Sequence, residues 1–225
     1  HAHALSHFIK QKGEDTRIPS FPLLCLLVSG GHTKIIVLKS HLEMEVIGNT
    51  IDDAAGEAFD KCGKIMGMAY PAGPEIDRLA ASGYKHAFRF AKPSVSDLDF
   101  SFSGLKTSFL YFLRDKLEDD PAFIDKNRAD LCASLQHTVV SILIAKLAKA
   151  ALLTGIKEIG IAGGVSANSG LRKAAQTEAA NRRWNLYLPP LSFTTDNAAM
   201  IGVAGYYKYL KGEFASQEVT PLARF

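Results

Sequence analysis

Ser29-Gly30-Gly31 lies between two β-prone runs, Pro22 to Val28 and Thr33 to Lys39. Two adjacent glycines let backbone N–H groups converge on a phosphate with no side chain in the way, and Ser29 adds a hydroxyl. An ordinary type I′ hairpin, for which Gly-Gly is a favoured central pair, accounts for the same residues. Later, Gly163-Gly164-Val165-Ser166-Ala167-Asn168 follows the apolar run Lys157 to Ala162 and opens a helix that Ser166 can cap. Strand, double glycine and helix N-terminus leave bare backbone and a helix dipole where a phosphate or a ring can approach. The spacing is not G-x-G-x-x-G, so a Rossmann dinucleotide site is unsupported.

Carboxylates and histidines form the other candidate set. Asp53, Glu57 and Asp60 share one face of a helix over Asp52 to Lys61, where Glu57/Lys61 and Asp60/Lys64 are favourable i,i+4 pairs on a solvated face. Tyr70-Pro71-Ala72-Gly73-Pro74 breaks the chain; Gly73 admits a ligand close to the backbone, and Asp77 can accept both hydroxyls of a ribose. A turn and a helix cap use these residues equally well. His3 and His7 stand one helical turn apart, but Ala4 replaces the Glu that an H-E-x-x-H protease needs. Asp196 reads by itself as an N-cap.

The elements that must position these groups alternate between β and α periods. Met44 to Ile47 adds a strand to the hairpin. Phe100 to Thr107 leads into a helix ending near Lys116, closed by Asp119-Asp120-Pro121. From Ala129 to Leu153 the residues Leu131, Leu135, Val139, Ile142, Leu143, Leu147 and Ala150 keep helical spacing until Gly155 stops it. His137 within that helix reads as a structural histidine. Trp184 to Leu188 is a further strand, ended by Pro189-Pro190, and Thr194 to Asn197 opens a last helix through about Leu210. The fold class is α/β.

At 225 residues, 47% hydrophobic and 22% charged, the chain is long enough for a sizeable core. A net charge of +3 permits a polyanionic partner without demanding one. Cys25, Cys62 and Cys132 lack a C-x-x-C pairing and sit in apolar surroundings, which suits a reduced, cytoplasmic protein. No apolar run is read as spanning a membrane, and no signal pattern opens the chain. It starts on His1-Ala2-His3 without Met, so we expect a fragment whose N-terminal part is missing.

The joint order of Ala2-His3, Leu27 to Thr33, Ile51 to Lys61, Tyr70 to Pro74, Phe100 to Thr107, Gly163 to Asn168 and Thr195 to Asn197 resembles the TsaD family, the tRNA adenosine threonylcarbamoyltransferases. The resemblance runs from His3 to about Leu210. It implies the C-terminal portion of an actin-like ATPase fold, of the type shared with heat-shock chaperone ATPases and sugar kinases, with residues 1–215 as a partial domain and 216–225 as a tail. It implies that Leu27, Val28, Ser29, Gly30, Gly31, Asp60, Gly73, Asp77 and Asn168 bind threonylcarbamoyl-AMP. Ala72 departs from the family's usual Pro-Gly-Gly-Pro turn.

By the same resemblance, His3 and Asp196 are two ligands of one iron(II) ion per subunit, or of another divalent metal. The family's first histidine would fall before His1, which puts His7 off the register. The implied reaction moves threonylcarbamoyl from its adenylate to N6 of adenosine 37 in tRNAs reading codons that begin with A. The partners implied are tRNA, a paralogous TsaB-like scaffold subunit and a TsaE-like P-loop ATPase, with no membrane. The piece alone is expected to be nearly inactive. No general base stands out, although His32 adjoins the phosphate turn, and Arg172, Lys173, Arg182 and Arg183 offer positive charge to an RNA backbone. A phosphotransferase of the same superfamily would have no reason to keep His3 and Asp196, and a pure scaffold would lack Asp60 and Asn168 as well.

Overall fold

The run from Leu23 to Val28 is apolar at every position, and a strand of that composition needs cover on both faces. The computed structural model, which describes residues 2–10, 13 and 17–220, makes it β1 (Leu23–Val28), the middle strand of five. β2 (Thr33–Leu38) pairs with it antiparallel, and β3 (Met44–Asn49) pairs with β2, so the expected hairpin and third strand are present. On the other side β4 (Glu158–Ala162) lies parallel to β1, and β5 (Asn185–Tyr187) parallel to β4. The order is β3-β2-β1-β4-β5.

Alternation along β1 divides the core. Leu24, Leu26 and Val28 join the larger cluster on one face, while Leu23, Cys25 and Leu27 join a smaller one on the other. The larger face is covered by α2 (Ala55–Ile65), α3 (Gly73–Ala80), α4 (Ser103–Asp119), α5 (Phe123–Thr154) and α6 (Ser169–Arg182). The smaller is covered by α1 (Ala2–Leu5), the 3-10 turn Ser6–Phe8 and α7 (Ala198–Leu210).

α5 corrects the reading of apolar runs. It is long and apolar enough by composition to cross a membrane, yet 67% of its most apolar window is buried inside the protein. It packs on α3 and α6 as the spine of the larger core. Gly155, in the left-handed region at φ 70°, ends it as expected. The three cysteines are buried and unpaired, and burial pushes the Cys25 and Cys62 thiols up to about 12. They are core residues and not nucleophiles.

Two cap assignments change. α6 is capped by Asn168, whose Oδ1 accepts the Leu171 N–H at 2.9 Å, and not by Ser166, which is fully buried in the preceding 3-10 turn. α7 is capped by Asn197, which accepts the Met200 N–H at 3.0 Å, so Asp196 is left for other work. Ahead of α4, the Asp52 carboxylate accepts from the Ser101 hydroxyl and the Phe102 N–H. Burial pushes its pKa up, but these hydrogen bonds outweigh burial and hold it below the usual carboxylate range. His1, most of the Gly13 to Arg17 linker and residues 221–225 lie outside the described residues.

Candidate functional site: a cleft beside the glycine turn

Parallel neighbours send their following loops to the same edge of a sheet. β1 and β4 are such neighbours, in register from Leu24 opposite Ile159 to Leu27 opposite Ala162. The Ser29-His32 turn and the Gly163-Asn168 segment therefore meet, although they are far apart in the chain. Gly163 makes the junction: its φ is 91°, and a Cβ there would lie 2.4 Å from the Val28 carbonyl oxygen. Only glycine satisfies both conditions.

The glycine turn is not the expected type I′ hairpin, since neither Gly30 nor Gly31 lies in the left-handed region. The Ser29 N–H donates to the His32 carbonyl at 2.8 Å, and the Ser29 hydroxyl accepts the His32 N–H at 3.0 Å. The N–H groups of Gly30 and Gly31 have no acceptor among the described residues, and the space where either Cβ would stand is open. Unspent donors in open space suit an anion.

α2 is pressed against this turn. Thr33, fully buried, accepts the Ala55 N–H through its hydroxyl at 2.9 Å, and the Gly56 N–H donates to the Ser29 carbonyl at 3.3 Å. One turn further, Asp60 accepts the Ala72 N–H at 2.8 Å and so pins the Tyr70-Gly73 turn. It therefore does not form the expected pair with Lys64, whereas Glu57 does pair with Lys61. Ala72 is buried, and its Cβ fills the space over Gly63. Asp77 reaches across to α6, where both its oxygens accept the Ser169 N–H at 3.0 and 3.1 Å and Oδ1 also accepts the Ser169 hydroxyl at 2.8 Å.

These elements enclose a cavity of about 390 Å³, within the usual size of a small-molecule site. Of the residues anticipated as binding, Gly30, Asp60, Gly73, Asp77 and Asn168 line it together. Leu27 and Val28 do not: both are buried in β1, packed on opposite faces of the sheet, and they aim the turn without touching the cavity. Ser29 and Gly31 form the turn beside Gly30 but are also outside the lining. Tyr70, Pro71, Pro74, Gly164, Val165 and Ala167, from the two turn motifs, also line it, and Gly56, Phe59 and Leu191 complete the wall; none of these was anticipated as binding. Gly56 carries a readable signal, because a glycine in the first turn of a helix marks a close approach.

Asn168 spends its side chain within the protein, since its Nδ2 donates to Gln136 at 2.8 Å while Oδ1 caps α6. What it offers the cavity is a rigid wall. Asp77 keeps lone pairs beyond those used by Ser169. Asp77→Ala is expected to lower unfolding free energy by about 1 kcal/mol through loss of its hydrogen bonds to Ser169 at the start of α6. It is also expected to weaken AMP binding about tenfold by removing a buried-edge acceptor. Urea unfolding and titration calorimetry read the two effects apart, and unchanged AMP affinity would assign the carboxylate to α6 alone.

His3 and Asp196 do come together. The imidazole Nε2 lies 3.1 Å from Asp196 Oδ1, with Asp196 almost fully exposed, while His3 Nδ1 is buried with no partner. His7 belongs elsewhere, buried in the smaller core with its ring against Gly160. His32 adjoins the first pair: burial, then Lys34 and His3, hold its pKa below the ordinary histidine value. No group of three His, Cys, Asp or Glu with metal-binding geometry occurs among the described residues. The basic stretch on α6 is half committed. Arg172 donates to the carbonyls of Ser166 and Pro189 at 3.1 Å, and Arg182 pairs with Glu178, which leaves Lys173 and Arg183 without an ion pair among the described residues.

The family model for TsaD, tRNA N6-adenosine threonylcarbamoyltransferase, matches residues 1–203. This chain belongs to the TsaD family. It is 58% identical over 224 residues to the tRNA N6-adenosine threonylcarbamoyltransferase of Porphyromonas gingivalis, covering 100% of this chain and 66% of that protein. The Phocaeicola vulgatus protein of the same name is 58% identical over 215 residues, covering 96% of this chain and 63% of its own length. The chain thus spans a little under two thirds of these TsaD relatives. Among solved structures, T. kodakarensis HypF superposes with a TM-score of 0.50 at 16% identity, covering 78% of this chain and 22% of that one. The likeness is one of fold, and the fold is the actin-like ATPase fold with its mixed α/β sheet.

Proposed function

We propose that the cleft binds threonylcarbamoyl-AMP and that the whole protein transfers its acyl group to N6 of adenosine 37 in tRNAs reading codons that begin with A. The observation that carries this reading is the single cavity shared by the Gly30 turn and the Asn168 segment, in a chain of the TsaD family. The unpaired Gly30 and Gly31 N–H groups take the phosphate. Asp60 and Asp77 face the ribose hydroxyls, and Val165 with Leu191 flank the adenine. Attack by the N6 amine on the acyl carbon expels AMP, and the turn N–H groups stabilise the charge that develops on the leaving phosphate. His32 adjoins the turn but lines neither cavity, so the proton released by the amine goes to the departing phosphate or to water.

The metal reading fits the residues present. An imidazole nitrogen and a carboxylate oxygen 3.1 Å apart, with the second imidazole nitrogen dry, are donors that suit iron(II) or a similar divalent ion. His3 and Asp196 would hold it, and two protein ligands hold it weakly. A bound ion supplies Lewis-acid polarisation of an acyl or phosphoryl oxygen. A TsaB-like scaffold subunit and a TsaE-like P-loop ATPase complete the proposed assembly.

The test is transfer of radiolabelled threonylcarbamoyl from its adenylate to tRNA by the full-length protein with those subunits. Label is expected on tRNA carrying adenosine at position 37 and not on tRNA carrying guanosine there. His3→Ala and Asp196→Ala are each expected to lower metal content after dialysis. Absence of label in an assembly that still binds AMP would reject acyl transfer.

A further inference from the structure

A second cavity of about 570 Å³ opens off the cleft and shares Gly30, Asp60 and Tyr70 with it. Nothing in the adenylate assignment uses its far wall, formed by Glu57, Lys61, Lys64, Met68 and Ala69. Resting on the reading above, we infer that this chamber receives the acceptor nucleobase of the RNA, with Tyr70 as the stacking platform and Lys64 as a contact for the RNA backbone.

The first argument is position. With the phosphate on the Gly30 turn, the acyl carbon bonded to it lies at that end of the cleft. The attacking amine must arrive from outside the space the adenylate fills, and the second chamber meets the cleft at Gly30.

The second argument is chemistry. The Tyr70 side chain is 85% exposed, yet its turn is pinned by the Asp60 to Ala72 N–H bond, so the exposed ring is held on a fixed base. Half-buried Met68 lines the same chamber and supplies an apolar, polarisable surface. An exposed ring on an anchored turn is what an unpaired base stacks on. Charge agrees with this assignment. Lys61 is consumed by Asp53 and Glu57 at 2.6 and 2.9 Å, whereas Lys64 is exposed and forms no ion pair among the described residues. A free ammonium at the rim suits a phosphodiester.

The test uses an anticodon stem-loop RNA with 2-aminopurine at position 37, whose emission is quenched when it stacks, together with AMP calorimetry on the same samples. The wild-type chain is expected to quench the probe. Tyr70→Ala should remove the quenching and weaken RNA binding about tenfold, and Tyr70→Phe should retain both. Lys64→Glu should weaken RNA binding several-fold and reduce its salt dependence while leaving AMP affinity unchanged. AMP binding with no quenching by the wild type, or equal quenching by Tyr70→Ala, overturns the inference and leaves the adenylate cleft standing. Failure of the wild type to bind AMP overturns the cleft itself.

Discussion

Gly56→Ala is expected to weaken AMP binding by roughly tenfold to a hundredfold. A Cβ at Gly56 would lie 2.6 Å from the Ser29 carbonyl oxygen, 2.8 Å from Gly30 Cα and 2.9 Å from Gly30 N. All three are backbone atoms of the turn assigned to the phosphate, so no side chain can swing away to relieve the contact. Either α2 retreats, which strains the Thr33 to Ala55 hydrogen bond, or the turn moves and its N–H groups lose their aim. Overpacking of this kind costs about 1–3 kcal/mol, and alanine's better helix propensity returns about 1. The net loss of stability is therefore about 0–2 kcal/mol, of the same order as the roughly 1.4–2.7 kcal/mol that the affinity change represents, so the two are read by separate measurements. Calorimetry with AMP on a folded variant decides the matter, and wild-type affinity would show that the turn does not hold the phosphate.

The second large effect is on acid stability. His7 is buried in the smaller core, its Nε2 has no hydrogen-bond partner, and burial lowers its pKa to about 4. In the unfolded chain it titrates near 6.5. Between those values the unfolded state binds the extra proton, so stability rises with pH and is lost as pH falls through 6.5 toward 4. The loss attributable to His7 is about 2 kcal/mol by pH 5 and about 3 kcal/mol by pH 4, where it levels off. His7→Leu removes the titration and keeps an apolar side chain of similar bulk against Gly160. Urea midpoints of the two proteins from pH 7.5 to 4.5 should diverge as the solution is acidified. Parallel curves would mean that water reaches the imidazole.

Much of the architecture could be read from local pattern. The hairpin was visible because two short apolar runs flank Gly30-Gly31, and α5 because its leucines hold helical spacing up to Gly155. The start of α5 was placed at Ala129 and not at Phe123, since Asp125, Asn127 and Arg128 interrupt the apolar stripe without interrupting the helix. Caps were misassigned where several capping residues stand in a row. Asn168 wins over Ser166 because its amide also meets Gln136, and Asn197 takes the cap while Asp196 turns to His3.

The partners of the carboxylates were the least legible part of the cleft. Spacing put Lys64 within reach of Asp60, but the Ala72 N–H on a separate turn has no competing acceptor and captures the carboxylate. The role of Asp77 as a clasp on Ser169 depends on a contact between residues ninety-two positions apart, about which no periodicity carries information. Leu27 and Val28 are buried in β1 and lie outside the cavity lining, so their place in the binding set rests on the family resemblance alone.

That clasp has a bearing on synthesis. A nascent chain still lacking β4 and α6 holds neither the wall at Asn168 nor the partner of Asp77. On the proposed reading, adenylate capture during translation waits until the strand beside β1 has emerged and docked, so occupancy would report on a finished cleft, never on a half-made one.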